Sequence, residues 1–272
     1  MVVADKQLTL SKLLEWKRNG IVIFNNSVDG GVIDAYLGEL QLFRSNPSDY
    51  AISVEIQGTQ TWSPELRAGD LNRPGVKYNH MHVSSWYAAK LSMSRQITQF
   101  LSLIFNSRPC PIQSLTSWHG SQQPTHIDYP YVRHQRRIPY MAASWIALED
   151  VHPDSGPLAY FQGGHDAEIT GFFDWGGGNI LSEELETKNR NGMDFAAFID
   201  QRMTHNNIQQ NAFLPKKGDV LIWHPNLPHK GTNVEDSNLT RKSYVTRYTG
   251  LDDYPETWIK RDSETGHPLC FR

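Results

Sequence analysis

The sequence predicts a mainly β fold with flanking helices. Three observations carry that reading. Short apolar runs bounded by turn residues recur between about Pro111 and Gly250, among them Ser144-Trp145-Ile146-Ala147-Leu148, Asp219-Val220-Leu221-Ile222-Trp223 and Arg241 to Tyr248. The clearest helical spacing of apolar residues lies ahead of them. Thirty aromatic residues suit a β-rich core and a lined pocket.

Taken in order, Thr9 to Asn19 reads as a short helix, with Thr9 or Ser11 as cap and Gly20 as stop. Ile21-Val22-Ile23-Phe24 is a compact strand. Val32 to Phe43 sets Ile33, Tyr36, Leu37, Leu40 and Phe43 at helical spacing. Residues 45–82 give no clear pattern. Ser84 to Phe105 repeats Trp86, Ile97, Leu101 and Ile104 as one helix would. These helices are expected to cover one face of a sheet, with their aromatic residues in the core.

The β core spans 110–250 and is interrupted by 166–213. That segment holds Gly176-Gly177-Gly178 and a polar, helix-like stretch from Ser182 to Met203. No Lys-Ser/Thr follows the three glycines, so a phosphate loop is not indicated. An insertion of this length is either a lid or a helix packed on the periphery. The whole reads as a single domain, 1–272, with 1–109 as cover and 251–272 as tail.

Composition narrows the function classes. A length of 272 residues suits one large domain. A net charge of −3 gives no general signal for nucleic acid or a membrane surface. No apolar run approaches the roughly 18 residues that span a bilayer. Met1 to Lys6 lacks a secretory apolar region. Cys110 and Cys270 are too few for a disulfide framework. A cytoplasmic enzyme with reduced thiols and a small-molecule substrate is expected.

The chemistry centres on His126-Ile127-Asp128, answered by His229. Side chains at i and i+2 of a strand share a face, so His126 and Asp128 can enter one cavity while Ile127 points away. Two imidazoles and one carboxylate form the facial set that holds ferrous iron and leaves positions open. The triplet alone is a weak signal, since a strand-end His and Asp in a surface hydrogen bond would look the same. Arg241 and Ser243 share the same i, i+2 relation. A planar guanidinium suits two-point capture of a carboxylate, such as the far end of a 2-oxo acid. The alternative for Arg241 is a surface ion pair with Glu235 or Asp236.

Other residues compete. His224 stands five positions before His229. His119 precedes the triplet and is a candidate for the same cavity. His152 and His165 read as turn residues. Tyr129 to Arg137 places Arg133, Arg136, Arg137 and His134 just beyond the triplet, either as a solvated loop or as an anion-binding wall. The substrate-binding candidates are Tyr129, Arg133 and His119.

The run from Ser144 to Leu158 continues into Gly156-Pro157-Leu158 and then Gln162-Gly163-Gly164-His165. With Gly120 to Asp128 upstream and a start at Asn19 to Phe24, it resembles the phytanoyl-CoA dioxygenase family of iron- and 2-oxoglutarate-dependent oxygenases. The resemblance covers roughly residues 110–250. It departs at Gln-Gly-Gly-His, where the family has a Pro-Gly-Ser-His-like turn.

The resemblance implies a double-stranded β-helix (jelly-roll, cupin-like) core. It implies Fe(II) held by His126, Asp128 and His229, with 2-oxoglutarate and O₂ as co-substrates. Arg241, twelve residues after His229, matches the Arg that pairs with the distal carboxylate. Gln123 and Trp145 match residues near the co-substrate, and Ser243 joins them on strand geometry. The hydroxyl often found after the distal His is not cleanly placed, for Gly231 stands there and Thr232 follows. The same family pattern selects His229 over His224. Related halogenases replace the carboxylate with Gly or Ala, so Asp128 argues for hydroxylation or another oxygen-driven oxidation. The implied activity oxidises a small metabolite in a biosynthetic tailoring step, releasing succinate and CO₂. An anionic substrate is favoured if the Arg133 cluster faces the pocket. The competing reading is a non-oxidative metal-dependent jelly-roll protein (an isomerase, hydrolase or binding module) that would keep the three ligands, with Zn(II) able to occupy them, but would not need Arg241.

Overall fold

A computed structural model describes residues 2–128, 140–170, 192–253, 259–261 and 268–270. Its main sheet has eight antiparallel strands. In chain order they are β1 (Ile21–Phe24), β2 (Ser53–Ile56), β3 (Thr59–Trp62), β4 (Val76–Asn79), β5 (Pro109–Ser117), β6 (Ala142–Ala147), β9 (Val220–Trp223) and β11 (Ser243–Gly250). In space they run β1-β9-β6-β11-β5-β4-β2-β3. A smaller sheet runs β10-β7-β8, built from β10 (His229–Gly231), β7 (Leu158–Phe161) and β8 (Gln210–Phe213).

Alternation along the strands explains the layers. Ile146, Val220, Ile222 and Val22 point away from the small sheet and pack on helices α2 (Gly30–Ser45), α4 (Trp86–Ser92) and α5 (Arg95–Phe105). Their neighbours Trp145, Ala147, Leu221, Trp223 and Ile21 face the other way and meet Leu158, Tyr160 and Phe213 of the small sheet. Trp145 and Phe213 stand edge to face across this interior, with ring centroids 5.6 Å apart. Two antiparallel sheets over one interior form the expected jelly roll.

β11 decides what the interior can do. It lies between β5 and β6. Tyr244, Thr246 and Tyr248 face the helices, where Ser92 of α4 bonds Tyr244 and Thr246 and its carbonyl accepts from Tyr248. Ser243, Val245 and Arg247 therefore face the interior cavity.

Several sequence expectations need correction. The single helix over 84–105 is two: α4 ends at Ser92, and Ser94 in extended backbone restarts the chain as α5. A short helix α3 (Met81–Ser84) precedes them. Trp86 is 40% exposed and lies under the Lys90 ammonium at 3.3 Å, so it is not core. The first helix, α1 (Val2–Asn19), is longer than the Thr9 to Asn19 reading. The unpatterned stretch 45–82 holds β2, β3 and β4. Gln57 and Gly58 turn β2 into β3 with φ of +51° and +83°, a hairpin turn of the primed type.

Within the 166–213 segment lie helices α6 (Ala167–Thr170) and α7 (Gly192–His205) and strand β8, which pairs with β7. The glycine triplet lies outside the described residues, as do most residues on which the lid question turns. The reduced-thiol expectation fails: Cys110 is disulfide-bonded. Strand β13 (Pro268–Cys270) pairs with β12 (Ile259–Arg261) and packs beside β5, which brings the chain's other cysteine, Cys270, to the strand that carries Cys110. No helix among the described residues is long and apolar enough to cross a membrane.

Candidate metal centre

The triplet is not the extended strand expected from its spacing. Only His126 makes a ladder contact, an isolated antiparallel bridge to His229. Each of the two donates its backbone N–H to the other's carbonyl at 3.0 Å. Two hydrogen bonds thus join segments about a hundred residues apart in sequence and set the two imidazoles side by side, with ring centroids 4.2 Å apart. Asp128 N donates to Pro225 O at 2.9 Å and brings the carboxylate alongside. Ile127 turns the opposite way, fully buried against Phe161, Phe195, Ile199 and Met203. One ligand atom from each of His126, Asp128 and His229 lies within 4.8 Å of the others. All three residues are buried.

The surroundings prepare these groups for a cation. His126 Nδ1 is 2.8 Å from Pro124 O, and His229 Nδ1 is 2.9 Å from Leu227 O. A carbonyl only accepts, so both Nδ1 atoms carry the proton and both Nε2 atoms keep a lone pair. Burial, and for His126 the neighbouring His229, pushes both imidazoles down in pKa, so they stay neutral. Burial alone would raise the Asp128 carboxyl. The Arg247 guanidinium, with His229, more than reverses this and holds it well below the usual carboxylate range. Two neutral imidazoles and one carboxylate match the donor set of a ferrous centre.

A cavity opens on His126 and His229. Gln123, Trp145, Arg241 and Ser243 all line it, as the sequence suggested. Arg241 lies two residues ahead of β11, and its backbone N–H is fixed to Trp118 O at 3.0 Å. Glu149 is taken up by Thr240 and Lys242, on either side of Arg241. Burial lowers the Arg241 pKa to about 10, partly offset by Glu149. Its Nε is buried without a hydrogen-bond partner among the described residues. The guanidinium carbon lies 5.5 Å from the centre of the Trp145 ring. A buried, incompletely bonded guanidinium on a cavity wall is what an anionic ligand would complete.

Gln123 sits between the metal ligands and another cation. Its Nε2 is 3.2 Å from His126 Nε2, and its Oε1 accepts from Lys77 Nζ at 3.1 Å. Lys77 also pairs with Glu55 at 2.8 Å. Other predicted residues fall elsewhere. His119 is not on the cavity wall. β5 ends at Ser117, so the alternation that turns Leu115 and Ser117 inward stops short, and His119 Nδ1 lies 3.4 Å from Leu239 O. Thr232 spends its hydroxyl on Pro157 O at 3.0 Å. Tyr129 and Arg133 lie outside the described residues.

Lys77, Trp223 and Arg247 are among the wall residues that the sequence does not single out. Arg247 was within reach, being two steps of the β alternation beyond Ser243. Lys77 came from a stretch with no pattern. Trp223 reads as any apolar strand residue.

Solved structures share the architecture. The non-heme α-ketoglutarate-dependent epimerase SnoN from nogalamycin biosynthesis superposes with a TM-score of 0.63 at 16% identity, covering 97% of this chain and 96% of its own. EctD from S. alaskensis with bound Fe gives 0.62 at 14%, over 89% and 77%. The carbocyclase SnoK, also from nogalamycin biosynthesis, gives 0.60 at 15%, over 95% and 92%. EctD has been crystallised with 2-oxoglutarate and 5-hydroxyectoine, and SnoN with Fe³⁺ and α-ketoglutarate. At these identities the likeness shows the fold. No curated protein matches the sequence. The family model for phytanoyl-CoA dioxygenase (PhyH) matches residues 16–243, a span running from α1 through both imidazoles, the carboxylate and Arg241 to the first residue of β11, and the chain therefore belongs to that family.

Proposed function

We propose that this protein is an iron(II)- and 2-oxoglutarate-dependent oxygenase that hydroxylates a small polar metabolite, in a biosynthetic tailoring step. One observation carries the reading: His126 and His229 share a cavity with a buried Arg241 whose Nε has no hydrogen-bond partner among the described residues. A metal-only isomerase, hydrolase or binding module would leave that guanidinium without a purpose.

The iron, when bound with 2-oxoglutarate and O₂, supplies the oxidising chemistry, and 2-oxoglutarate leaves as succinate and CO₂. His126, Asp128 and His229 would hold the iron. Arg241 would take the distal carboxylate of 2-oxoglutarate by two parallel hydrogen bonds. Trp145 forms a flat wall beside that guanidinium, and Ser117 and Ser243 add hydroxyls. Lys77, itself paired with Glu55, adds an ammonium donor to the same wall.

The substrate would enter by an adjoining cleft that shares Gln123, Lys230 and Gly231 with the metal cavity. Its walls include Gln122, Asn233, Asp200 and Glu235, which suit a polar, hydrogen-bonding metabolite. The preference for an anion rests only on the Arg133 cluster, which lies outside the described residues. Retention of the Asp128 carboxylate supports hydroxylation over halogenation.

Anaerobic addition of Fe(II) and 2-oxoglutarate to metal-free protein tests the reading. A weak visible charge-transfer band is expected, reduced or lost in Arg241→Ala. Asp128→Ala should release no succinate in air. Bound metal without the band would overturn the assignment.

A further inference from the structure

Both carboxylate oxygens of Asp128 are engaged by side chains of the main sheet. Trp223 Nε1 donates to Oδ2 at 2.9 Å. Arg247 Nη2 donates to Oδ1 at 2.5 Å. Oδ1 is also the oxygen that faces the imidazoles, 3.9 Å from His229 Nε2. Arg247 is itself held from behind, its Nη1 donating to Gln113 Oε1 at 2.8 Å. Trp223 and Arg247 sit on β9 and β11, strands that both pair with β6, so both donors come from one rigid sheet. The carboxylate they grip comes instead from the loop that follows His126.

We infer that Arg247 and Trp223 are positioning residues that hold Asp128 as a one-oxygen metal ligand, and that Gln113 acts through Arg247. The inference rests on the metal-centre reading above. A carboxylate has about four lone-pair sites, two on each oxygen. Arg247 takes one site on Oδ1 and leaves the other for the metal. Trp223 restrains Oδ2, so the group cannot rotate to offer both oxygens. With Asp128 confined to one coordination position, more of the metal's positions remain for co-substrate and substrate. The guanidinium also offsets a fully buried negative charge before any metal arrives. The pre-set geometry is therefore present in the metal-free chain. Groups that orient a ligand in this way commonly change metal affinity 10–100-fold when removed.

The test is a titration of metal-free protein with Co(II), followed by visible absorption and calorimetry. It omits 2-oxoglutarate, so that Arg247's place on the cavity wall does not enter the result. Wild-type protein should take up one Co(II). Arg247→Met should bind roughly 10–100-fold more weakly, and Trp223→Phe about 10-fold more weakly. Arg247→Lys keeps the charge and should recover part of the loss. Gln113→Leu, remote from the ligands, should fall between wild type and Arg247→Met. A purely structural ion pair would lower thermal stability without this graded loss of affinity. If circular dichroism shows that Arg247→Met does not fold, Trp223→Phe, which preserves an aromatic ring, decides the question. Wild-type affinity in the folded variants overturns the inference alone. Failure of the wild-type protein to bind Co(II) overturns the metal-centre reading and this inference with it.

Discussion

The imidazoles of His165 and His224 meet edge to face, their ring centroids 5.1 Å apart and their planes at 63°. Trp16 of α1 also approaches His224, at 5.7 Å. His224 Nδ1 accepts the backbone N–H of Asn226 at 3.2 Å, so the ring is tied to the loop that leads into His229. Burial, and then the neighbouring His165, lower the His224 pKa from 6.5 to about 3. The folded state thus holds this ring neutral where the unfolded chain would charge it. The resulting stability is whole above pH 6.5 and is lost as pH falls from 6.5 towards 3. This ring's share of the loss between pH 7 and pH 5 should be about 2 kcal/mol. Urea denaturation at the two pH values measures it. His224→Phe should reduce the difference by that share, at the cost of the bond to Asn226. An unchanged pH dependence in that variant would show that the ring is not the sensor.

Ile127 should behave as an anchor for the metal ligands on either side of it. Its side chain is fully buried against Phe195, Ile199 and Met203 of α7. Ile127→Ala should cost about 2–5 kcal/mol of stability. Because His126 and Asp128 flank it, Co(II) affinity should fall as well. Equal metal affinity with lower stability would mean that the His126–His229 bridge alone holds the ligands.

Gly231 lies two residues after His229, where the chain passes closest to the segment before His126. A Cβ there would stand 2.3 Å from Ser121 Oγ, 2.8 Å from Gln122 N and 3.1 Å from Gln123 N. The last two are backbone atoms and cannot swing aside. Gly231→Ala should therefore push residues 121–123 away and displace Gln123 from the metal site. Weaker 2-oxoglutarate binding, read from the charge-transfer band, is expected, by at least about 10-fold for a loss of roughly 1.4 kcal/mol.

The Cys110 disulfide makes a chemical prediction. Protein unfolded without reductant should show no reactive thiol, and after reduction it should show two. Reduction should lower stability by about 2–4 kcal/mol, since the bridge closes a long loop. Two free thiols in the unreduced protein would contradict the bridge.

Much of the site could be read from residue spacing, because the chemistry selects residue types that are otherwise scarce together. His126, Asp128, His229 and Arg241 stand out for that reason. The strands β6, β9 and β11 were visible because their apolar residues are contiguous between turn signals. What escaped depends on pairing across the chain. β2 and β4 are four residues each, too short for alternation to rise above their surroundings. Lys77 gains meaning only because β4 pairs with β5 and faces it to the cavity. The break between α4 and α5 was hidden by apolar spacing that runs through Met93 and Ser94 as if the helix continued. Trp223 looked like core, and its ring does pack there, yet its N–H serves the metal ligand.

The bridge between His126 and His229 also has a kinetic meaning. It joins segments about a hundred residues apart, with β6, β7, β8 and β9 lying between them in the chain. Pairings this distant in sequence form slowly, because loop closure must precede any gain from contact. The metal site is therefore a late product of folding. In refolding followed by stopped flow, tryptophan fluorescence should recover before Co(II) absorbance appears, and added metal should slow unfolding more than it hastens folding.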